Sequence, residues 1–198
     1  RGSVDLGTSV SDFRAEEQER KSSMFSAVLN CPWNDHHFFF TDTPGYPDFC
    51  GDVISAIRVT DMVVIVVDAA LGIGPGTIRA WKQGRNNGIP RAFFINGCDR
   101  EQGDFQGVLA AIRESYGATV CLPFTLPVGE RAGFSGVTSV LSADAEGVAD
   151  VHEAIMDAVA ESDEALMEKY LEEGELSSEE VQKGLHLAIL SGAIVPVF

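Results

Sequence analysis

Two apolar runs constrain the fold of this chain more than any other feature. They are MVVIVVD at 62–68 and RAFFIN at 91–96, rich in β-branched or aromatic residues and without polar alternation. Such runs are typical of strands buried on both faces, as in parallel sheets. Between them the spacing predicts a helix from about Thr77 to Gly88, where a left-handed glycine would end it. This strand-helix-strand order favours an α/β fold.

Further predicted elements extend this alternation in both directions. Strands at 24–33 and 36–42 form a predicted hairpin around Asn34-Asp35, and helical spacing follows at 52–59. Beyond the second apolar run, a helix has one apolar face made of Phe105, Val108, Leu109, Ile112 and Tyr116. We therefore predict a doubly wound, mainly parallel sheet, with ligand-binding loops at the carboxyl ends of its strands.

The first candidate ligand loop is DTPG at 42–45, directly after the hairpin. Asp42 is placed to hold a water molecule on a metal ion. Gly45 lacks a side chain, so its backbone N–H can come close to an anion. Taken alone, the motif is equally compatible with an ordinary Pro-Gly turn.

Two other polar loops are candidates for the same site. NGCD at 96–99 follows the second apolar run; the Asp99 carboxylate can accept two hydrogen bonds from a guanine edge, and Asn96 can brace the loop. EEQERKSSMFS at 16–26 carries Ser23, whose hydroxyl could ligate magnesium. A solvated loop leading into a strand is the alternative for 16–26.

Charge separates one part of the chain from the rest. The sequence has 30 acidic and 14 basic residues, a net charge of −16, which argues against direct binding of DNA. Fourteen of the 30 carboxylates lie between Asp144 and Glu180, where Lys169 is the only lysine or arginine. Within this stretch we predict one amphipathic helix over 148–171 and a second helix that begins with a capping box at Ser177 and Glu180.

These patterns indicate that the acidic stretch is a separate unit within the chain. The four cysteines form no C-x-x-C pair and are expected to be buried thiols rather than zinc ligands or disulfides. No apolar run approaches the ~20 residues of a membrane span. We expect a cytoplasmic location.

Taken in order, the three loops resemble those of the translational GTPases, within them elongation factor G and its elongation-factor-G-like paralogues. RKSSM at 20–24 is similar to the family's Arg-Gly-Ile-Thr/Ser-Ile switch, DTPG at 42–45 to its Asp-Thr-Pro-Gly, and NGCD at 96–99 to its Asn-Lys-x-Asp. LPVGERAGFSGVTSVL at 126–141 resembles the opening of the family's insertion. The likeness covers essentially the whole chain and implies a fold of the P-loop GTPase type. It also implies a core at 1–127, an inserted acidic α+β subdomain at 128–187 and a return to the core at 188–198.

The resemblance also implies roles for these residues in an intact protein. GTP or GDP and Mg²⁺ would be the cofactors, with Ser23 and Asp42 supporting the metal and Gly45 sensing the γ-phosphate. Asn96 and Asp99 would read guanine, while Tyr46 would line the site of the attacking water. The ribosome would be the partner, and the acidic insertion could contact the ribosomal stalk protein.

The sequence departs from the family in three places. It has no G-x-x-x-x-G-K-[ST] loop, whose backbone N–H groups and lysine bind phosphates, so the GTPase domain is expected to be incomplete and to bind GTP poorly. Gly97 replaces the lysine whose stem covers the base. Tyr46 replaces the histidine of elongation factor G; a phenol, with an ordinary pKa of about 10, stays neutral at pH 7. We expect hydrolysis that is slow or differently triggered.

Two other functions remain open at this stage. The chain could be a non-catalytic ribosome-associated module with a vestigial nucleotide site, in which the acidic insertion does the binding. It could also be a relative of ribosomal-protection or release factors, although these resemble elongation factor G less closely at 45–47.

Overall fold

The structure, a computed structural model, describes residues 2–141 and 148–198. The chain divides into two compact units, of which the first ends at Thr60 and the second runs from Asp61 to Phe198. In the described ranges, no helix is both long enough and apolar enough to cross a bilayer.

The first unit is built around a hairpin. Helix α1 (Ala15–Arg20) precedes strands β1 (Ala27–Trp33) and β2 (His36–Asp42), and a short 3-10 turn at Pro47–Phe49 leads into helix α2 (Cys50–Ile57). The two strands pair antiparallel from Ala27 opposite Asp42 to Trp33 opposite His36.

The predicted hairpin turn is confirmed. Asn34 and Asp35 have φ values of 46° and 59°, and a two-residue turn that matches the twist of its strands requires positive φ at both positions. The predicted start of the first strand at Met24 is wrong by three residues. The backbone N–H groups of residues 24–26 donate to the carboxylates of Glu17 and Asp52 rather than to a strand.

The second unit contains the parallel sheet. Its elements are β3 (Val63–Asp68), α3 (Pro75–Asn86), β4 (Arg91–Asn96), α4 (Phe105–Tyr116), β5 (Cys121–Pro123), β6 (Thr125–Val128), β7 (Gly136–Ser139), α5 (Ala149–Ala160), α6 (Glu164–Glu173), α7 (Ser178–Ser191) and β8 (Val195–Val197). The sheet order is β3-β4-β8-β5, and every pairing in it is parallel, whereas β6 and β7 form a separate antiparallel hairpin. The predicted α/β class is confirmed.

Burial on both faces, predicted for the two apolar runs, is wrong. Val64, Val66 and Phe94 are 51%, 60% and 43% exposed. Trp81 of α3 and Tyr116 of α4 stack on Phe93, so these helices cover the face to which Phe93 points. Because successive strand residues point to opposite faces, the alternate residues lie away from α3 and α4.

The single helix predicted over 148–171 is interrupted. α5 ends at Ala160 and α6 begins at Glu164, where Asp163 caps the new helix by accepting hydrogen bonds from the N–H groups of Ala165 and Leu166. The apolar spacing continues across the break, but this local side-chain cap favours a new helix start.

Ion pairs join α6 to α7. The Lys169 Nζ lies 2.8 Å from the Glu180 Oε1, and the Lys183 Nζ lies 3.2 Å from the Asp163 Oδ2. The hydrogen bond from Lys169, with others from Ser177, lowers the pKa of Glu180 to about 2. Ser177 and Glu180 form the predicted capping box at the start of α7. The domain boundaries predicted at 127 and 187 stay predictions.

Gly184 lies where α7 packs tightly against α5 and α6. A Cβ atom built there would lie 2.6 Å from the Val159 Cγ1 and 3.0 Å from both the Leu166 Cδ1 and the Val159 carbonyl oxygen. Val159 is fully buried in the core that these helices form. The glycine therefore allows α7 to pack closely against α5 and α6, and any side chain at this position would force these helices apart.

We expect Gly184→Ala to destabilise the second unit. Overpacking costs about 1–3 kcal/mol, which exceeds the gain of up to about 1 kcal/mol from better helix propensity. Chemical denaturation followed by circular dichroism measures the change. The control is Gly51→Ala in α2, where a Cβ would meet nothing within 4 Å, so that stability should hold or rise. A Gly184→Ala protein as stable as the wild type would contradict the packing argument.

The expectation that all four cysteines are buried is also wrong. All four are free thiols, but Cys31 and Cys50 are exposed, Cys98 is half-buried and Cys121 is buried. Burial raises the pKa of the Cys121 thiol to about 11.

Candidate functional site

The candidate residues divide between the two units. Ser23, Asp42, Gly45 and Tyr46 belong to the first unit, whereas Asn96 and Asp99 belong to the second. Within the described ranges, no group of three or more histidine, cysteine, aspartate or glutamate side chains is arranged to hold a metal ion.

The DTPG loop leaves the carboxyl end of β2 with its polar groups exposed. Asp42 is the last residue of the strand, and its side chain is exposed, while Pro44 is buried and anchors the turn. Tyr46 is 58% exposed, and its carbonyl accepts a hydrogen bond from the Phe49 N–H that closes the following turn. A carboxylate and a phenol are thus both open to solvent near one strand end.

Gly45 has no structural need to be glycine. A Cβ there would meet nothing within 4 Å, and its φ lies outside the left-handed range. Neither packing nor backbone conformation therefore excludes a side chain. An open backbone N–H at this position suits close approach by an anion.

Ser23 makes a contact that the sequence did not predict. Its hydroxyl donates to the Oδ1 of Asp12 at 2.7 Å, and Asp12 is only 6% exposed. Asp12 engages the hydroxyl proton, while the hydroxyl oxygen keeps lone pairs that could ligate a metal ion. The assignment of Ser23 as a magnesium ligand stays a prediction.

Glu17 organises the segment around Ser23. Its side chain is 1% exposed, and its Oε1 accepts hydrogen bonds from the N–H groups of Met24 at 2.9 Å and Phe25 at 3.1 Å. Its Oε2 accepts from the Arg14 N–H at 3.3 Å. Burial raises the pKa of Glu17, but these backbone hydrogen bonds outweigh it, so the pKa is lowered. Sequence reasoning missed this residue because it lies in a uniformly polar stretch.

A second carboxylate ties the end of this segment to α2. The Asp52 Oδ2 accepts a hydrogen bond from the Ser26 N–H at 2.9 Å. The segment at 16–26 and the helix after Gly45 are therefore linked by a single acidic side chain. A movement of α2 that displaces Asp52 would therefore break the hydrogen bond to Ser26, and a movement of the segment at 16–26 would do the same.

We expect Glu17→Ala to loosen residues 22–26. Three backbone N–H groups lose a charged acceptor, and hydrogen bonds to charged groups contribute about 1.5–3 kcal/mol. Amide hydrogen exchange at Met24 and Phe25 should accelerate roughly tenfold to a hundredfold. Mass-spectrometric exchange measures this, with Glu16→Ala, an exposed neighbour, as the control.

The same contacts predict a pH dependence. Because the pKa of Glu17 is lowered in the folded chain, its stabilisation is present above the ordinary glutamate pKa and is lost as the pH falls through the lowered value. Protection at Met24 and Phe25 should therefore fall in acid in the wild type, but not in Glu17→Ala. Equal acid sensitivity in both proteins would count against this role for Glu17.

In the second unit, the loop NGCD leaves the carboxyl end of β4. The Asn96 carbonyl accepts a hydrogen bond from the Ala69 N–H at 2.8 Å, and the Gly97 carbonyl accepts from the Arg100 N–H at 3.1 Å. Gly97 has a φ of 83°, which favours glycine. The side chains of Asn96 and Asp99 are exposed and make no hydrogen bond within the described residues. Both are open to a ligand.

A family model for the elongation factor Tu GTP-binding domain matches residues 1–195. The chain is 39% identical over 140 residues to elongation factor G 2 of Streptomyces coelicolor and 35% identical over 144 residues to elongation factor G of Fervidobacterium nodosum. It is also 34% identical over 141 residues to the mitochondrial ribosome-releasing factor 2 of Culex quinquefasciatus.

These alignments cover 71%, 73% and 71% of the chain but only 20%, 21% and 19% of the relatives, in that order. The chain thus spans about a fifth of the length of the curated relatives it matches. A crystal structure of the protein ttk003000868 from Thermus thermophilus superposes with a TM-score of 0.90 at 29% identity. That match covers all of this chain and 32% of the other.

Proposed function

The chain belongs to the family of elongation factor Tu GTP-binding domains, and on that premise we propose that it is part of the nucleotide switch of an elongation-factor-G-like translation factor. The observation that carries the proposal is the exposed loop NGCD at the end of a strand of the parallel sheet. NGCD leaves the carboxyl end of β4 in the parallel sheet with Asn96 and Asp99 exposed, and DTPG leaves β2 of the separate antiparallel hairpin with Asp42 exposed. Open α/β sheets bind their ligands at the carboxyl ends of their strands, which is where NGCD lies.

Each candidate residue has a chemical role in this proposal. Asp99 accepts two hydrogen bonds from the guanine edge, and Asn96 braces the loop. Asp42 and Ser23 support a magnesium ion, which neutralises phosphate charge when it is bound. Gly45 offers its backbone N–H to the γ-phosphate. The exposure of Asp42, Asn96 and Asp99 and the open space at Gly45 fit these roles, and the Ser23 oxygen keeps lone pairs while its proton is held by Asp12.

The phosphate cradle is the part that these 198 residues lack. The sequence contains no G-x-x-x-x-G-K-[ST], so nothing in it combines a ring of backbone N–H groups with a lysine. We propose that the cradle lies outside these residues in a longer protein. The chain alone should then bind GTP or GDP weakly.

Tyr46 shapes the proposed chemistry of hydrolysis. Its phenol is 58% exposed and adjoins Gly45, the proposed γ-phosphate sensor. A neutral phenol can donate or accept a hydrogen bond to a water molecule, but it cannot supply the positive charge of a protonated histidine. Hydrolysis should therefore be slow or depend on a partner.

Switching would act on the segment at 16–26 and on α2. Glu17 and Asp52 hold these elements through a small number of hydrogen bonds. Loss of the γ-phosphate would release them, which is the order-disorder switching of GTPases.

The proposed partner is the ribosome. Elongation factors and a ribosome-releasing factor are among the relatives of this chain. The acidic helices α5, α6 and α7 are proposed to contact the ribosomal stalk protein. Leu171 and Leu190, 76% and 52% exposed, add apolar contact area there.

Calorimetry tests the proposal directly. GTP and GDP are titrated, with and without Mg²⁺, into the 198-residue chain and into a longer protein that carries a phosphate-binding loop. We expect magnesium-dependent binding only in the longer protein. Tight binding by the 198 residues alone would contradict the proposed division of the site.

A non-catalytic ribosome-associated module is the second candidate. The observation that favours it is the glycine at position 97 in place of the family's lysine. GTP turnover by the longer protein, with and without ribosomes, separates the two. Ribosome binding without nucleotide binding or turnover would support the module.

A further inference from the structure

Arg100 occupies the space beside Gly97. A Cβ atom built at Gly97 would lie 3.1 Å from the Arg100 Nε and 3.3 Å from its Cζ. The Arg100 N–H also donates to the Gly97 carbonyl, so the backbone turns back at this point. The guanidinium thus lies close to the position that the Cβ of any non-glycine residue at position 97 would occupy.

The same guanidinium reaches the end of the neighbouring strand. The Arg100 Nη1 donates to the Asp68 Oδ2 at 2.7 Å. Asp68 is the last residue of β3 and lies opposite Asn96, the last residue of β4. The ion pair therefore links the loop after β4 to the terminus of β3.

Asp68 is itself held in place. Its Oδ1 accepts hydrogen bonds from the N–H groups of Ala70 at 2.8 Å and Leu71 at 3.3 Å. The hydrogen bond from Ala70, with those from Leu71 and Arg100, lowers its pKa against a smaller effect of burial. The carboxylate is thus a fixed, ionised anchor rather than a mobile surface group.

We propose that Asp68 and Arg100 are positioning residues that hold the loop Asn96–Asp99 for recognition of the base, and that the glycine at position 97 accommodates this pair. This rests on the proposed function, since it concerns how that site is arranged. The Asp68–Arg100 pair orders the loop, which a larger side chain at position 97 would otherwise help to do. Arg100 need not touch the nucleotide to do so.

One consequence is that a lysine at position 97 does not repair the site. Its Cβ would meet Arg100, and a non-glycine residue at a φ of 83° is strained. Gly97→Lys should therefore break the ion pair and loosen the loop, although it supplies the residue that the family's motif contains.

Amide hydrogen exchange on the 198-residue chain without nucleotide is the first arm of the test. Asp68→Asn, Arg100→Gln and Gly97→Lys should each accelerate exchange over residues 98–104 about two- to fivefold, the range for an exposed ion pair. Glu101→Gln, an exposed carboxylate in the same loop, is the matched control and should change nothing. The double variant at Asp68 and Arg100 should exchange no faster than either single variant, because both substitutions remove the same ion pair.

The second arm uses the longer protein and compares GDP with inosine diphosphate, which lacks the 2-amino group. Asp68→Asn and Arg100→Gln should lower the preference for GDP, and Arg100→Lys should restore part of it. If the longer protein binds neither nucleotide, the proposed function fails while the exchange result still decides whether the pair orders the loop. The proposal would be overturned if the single variants left exchange over residues 98–104 unchanged, or if their effects on exchange added up in the double variant. It would also be overturned if exchange became faster while the preference for GDP over inosine diphosphate stayed the same.

Discussion

Asp99→Asn, in a longer protein that carries a phosphate-binding loop, is expected to weaken GDP binding by about a hundredfold or more. Guanine presents two donors, its ring N–H and its 2-amino group, and only a carboxylate can accept from both. Each hydrogen bond to a charged group contributes about 1.5–3 kcal/mol, and the new amide replaces one acceptor with a donor. Equilibrium titration with a fluorescent GDP measures the loss.

The substitution should also change which base is preferred. Xanthine carries a carbonyl where guanine carries the 2-amino group, so it can accept a hydrogen bond from the new amide. Xanthosine diphosphate should bind the variant better than the wild type. The control is Asp61→Asn, an exposed carboxylate before β3. A variant that keeps the full preference for GDP would remove Asp99 from the base site.

Phe93→Ala is expected to cost about 3–5 kcal/mol of the free energy of unfolding of the second unit. Phe93 is fully buried, and its ring lies 5.5 Å from that of Trp81 and 5.3 Å from that of Tyr116. Its carbonyl accepts a hydrogen bond from the Phe198 N–H. Truncation therefore leaves a cavity between the sheet and both covering helices. Urea unfolding followed by circular dichroism gives the difference.

Phe94→Ala is the matched comparison, because it removes the same side chain one residue further along the strand. Phe94 points to the other face and is 43% exposed, so its loss should cost about 1 kcal/mol or less in the 198-residue chain. Equal costs for the two variants would mean that both faces of β4 are buried in solution, as the apolar run by itself predicts.

Local patterns predicted much of this structure. The turn at Asn34-Asp35 and the capping box at Ser177 and Glu180 depend on residues at most three apart, and both are present. The parallel pairing of the runs at 62–68 and 91–96 followed from β-branched composition and the helix between them. The same reasoning placed DTPG and NGCD at strand ends. All of these features depend on contacts close in sequence or on the periodicity of a strand or helix.

Other features required the tertiary structure. Glu17 became the acceptor for Met24 and Phe25, seven and eight residues away, and Asp68 joined Arg100 across 32 residues. The burial of Phe93 beside an exposed Phe94 depends on which face α3 and α4 cover. A sequence pattern reports what a residue can bind, whereas the partner of a buried carboxylate or ring is decided by chain segments that only folding brings together. The sequence by itself therefore determined most of the elements, the loops and the family, and the tertiary structure decided which charges and rings meet.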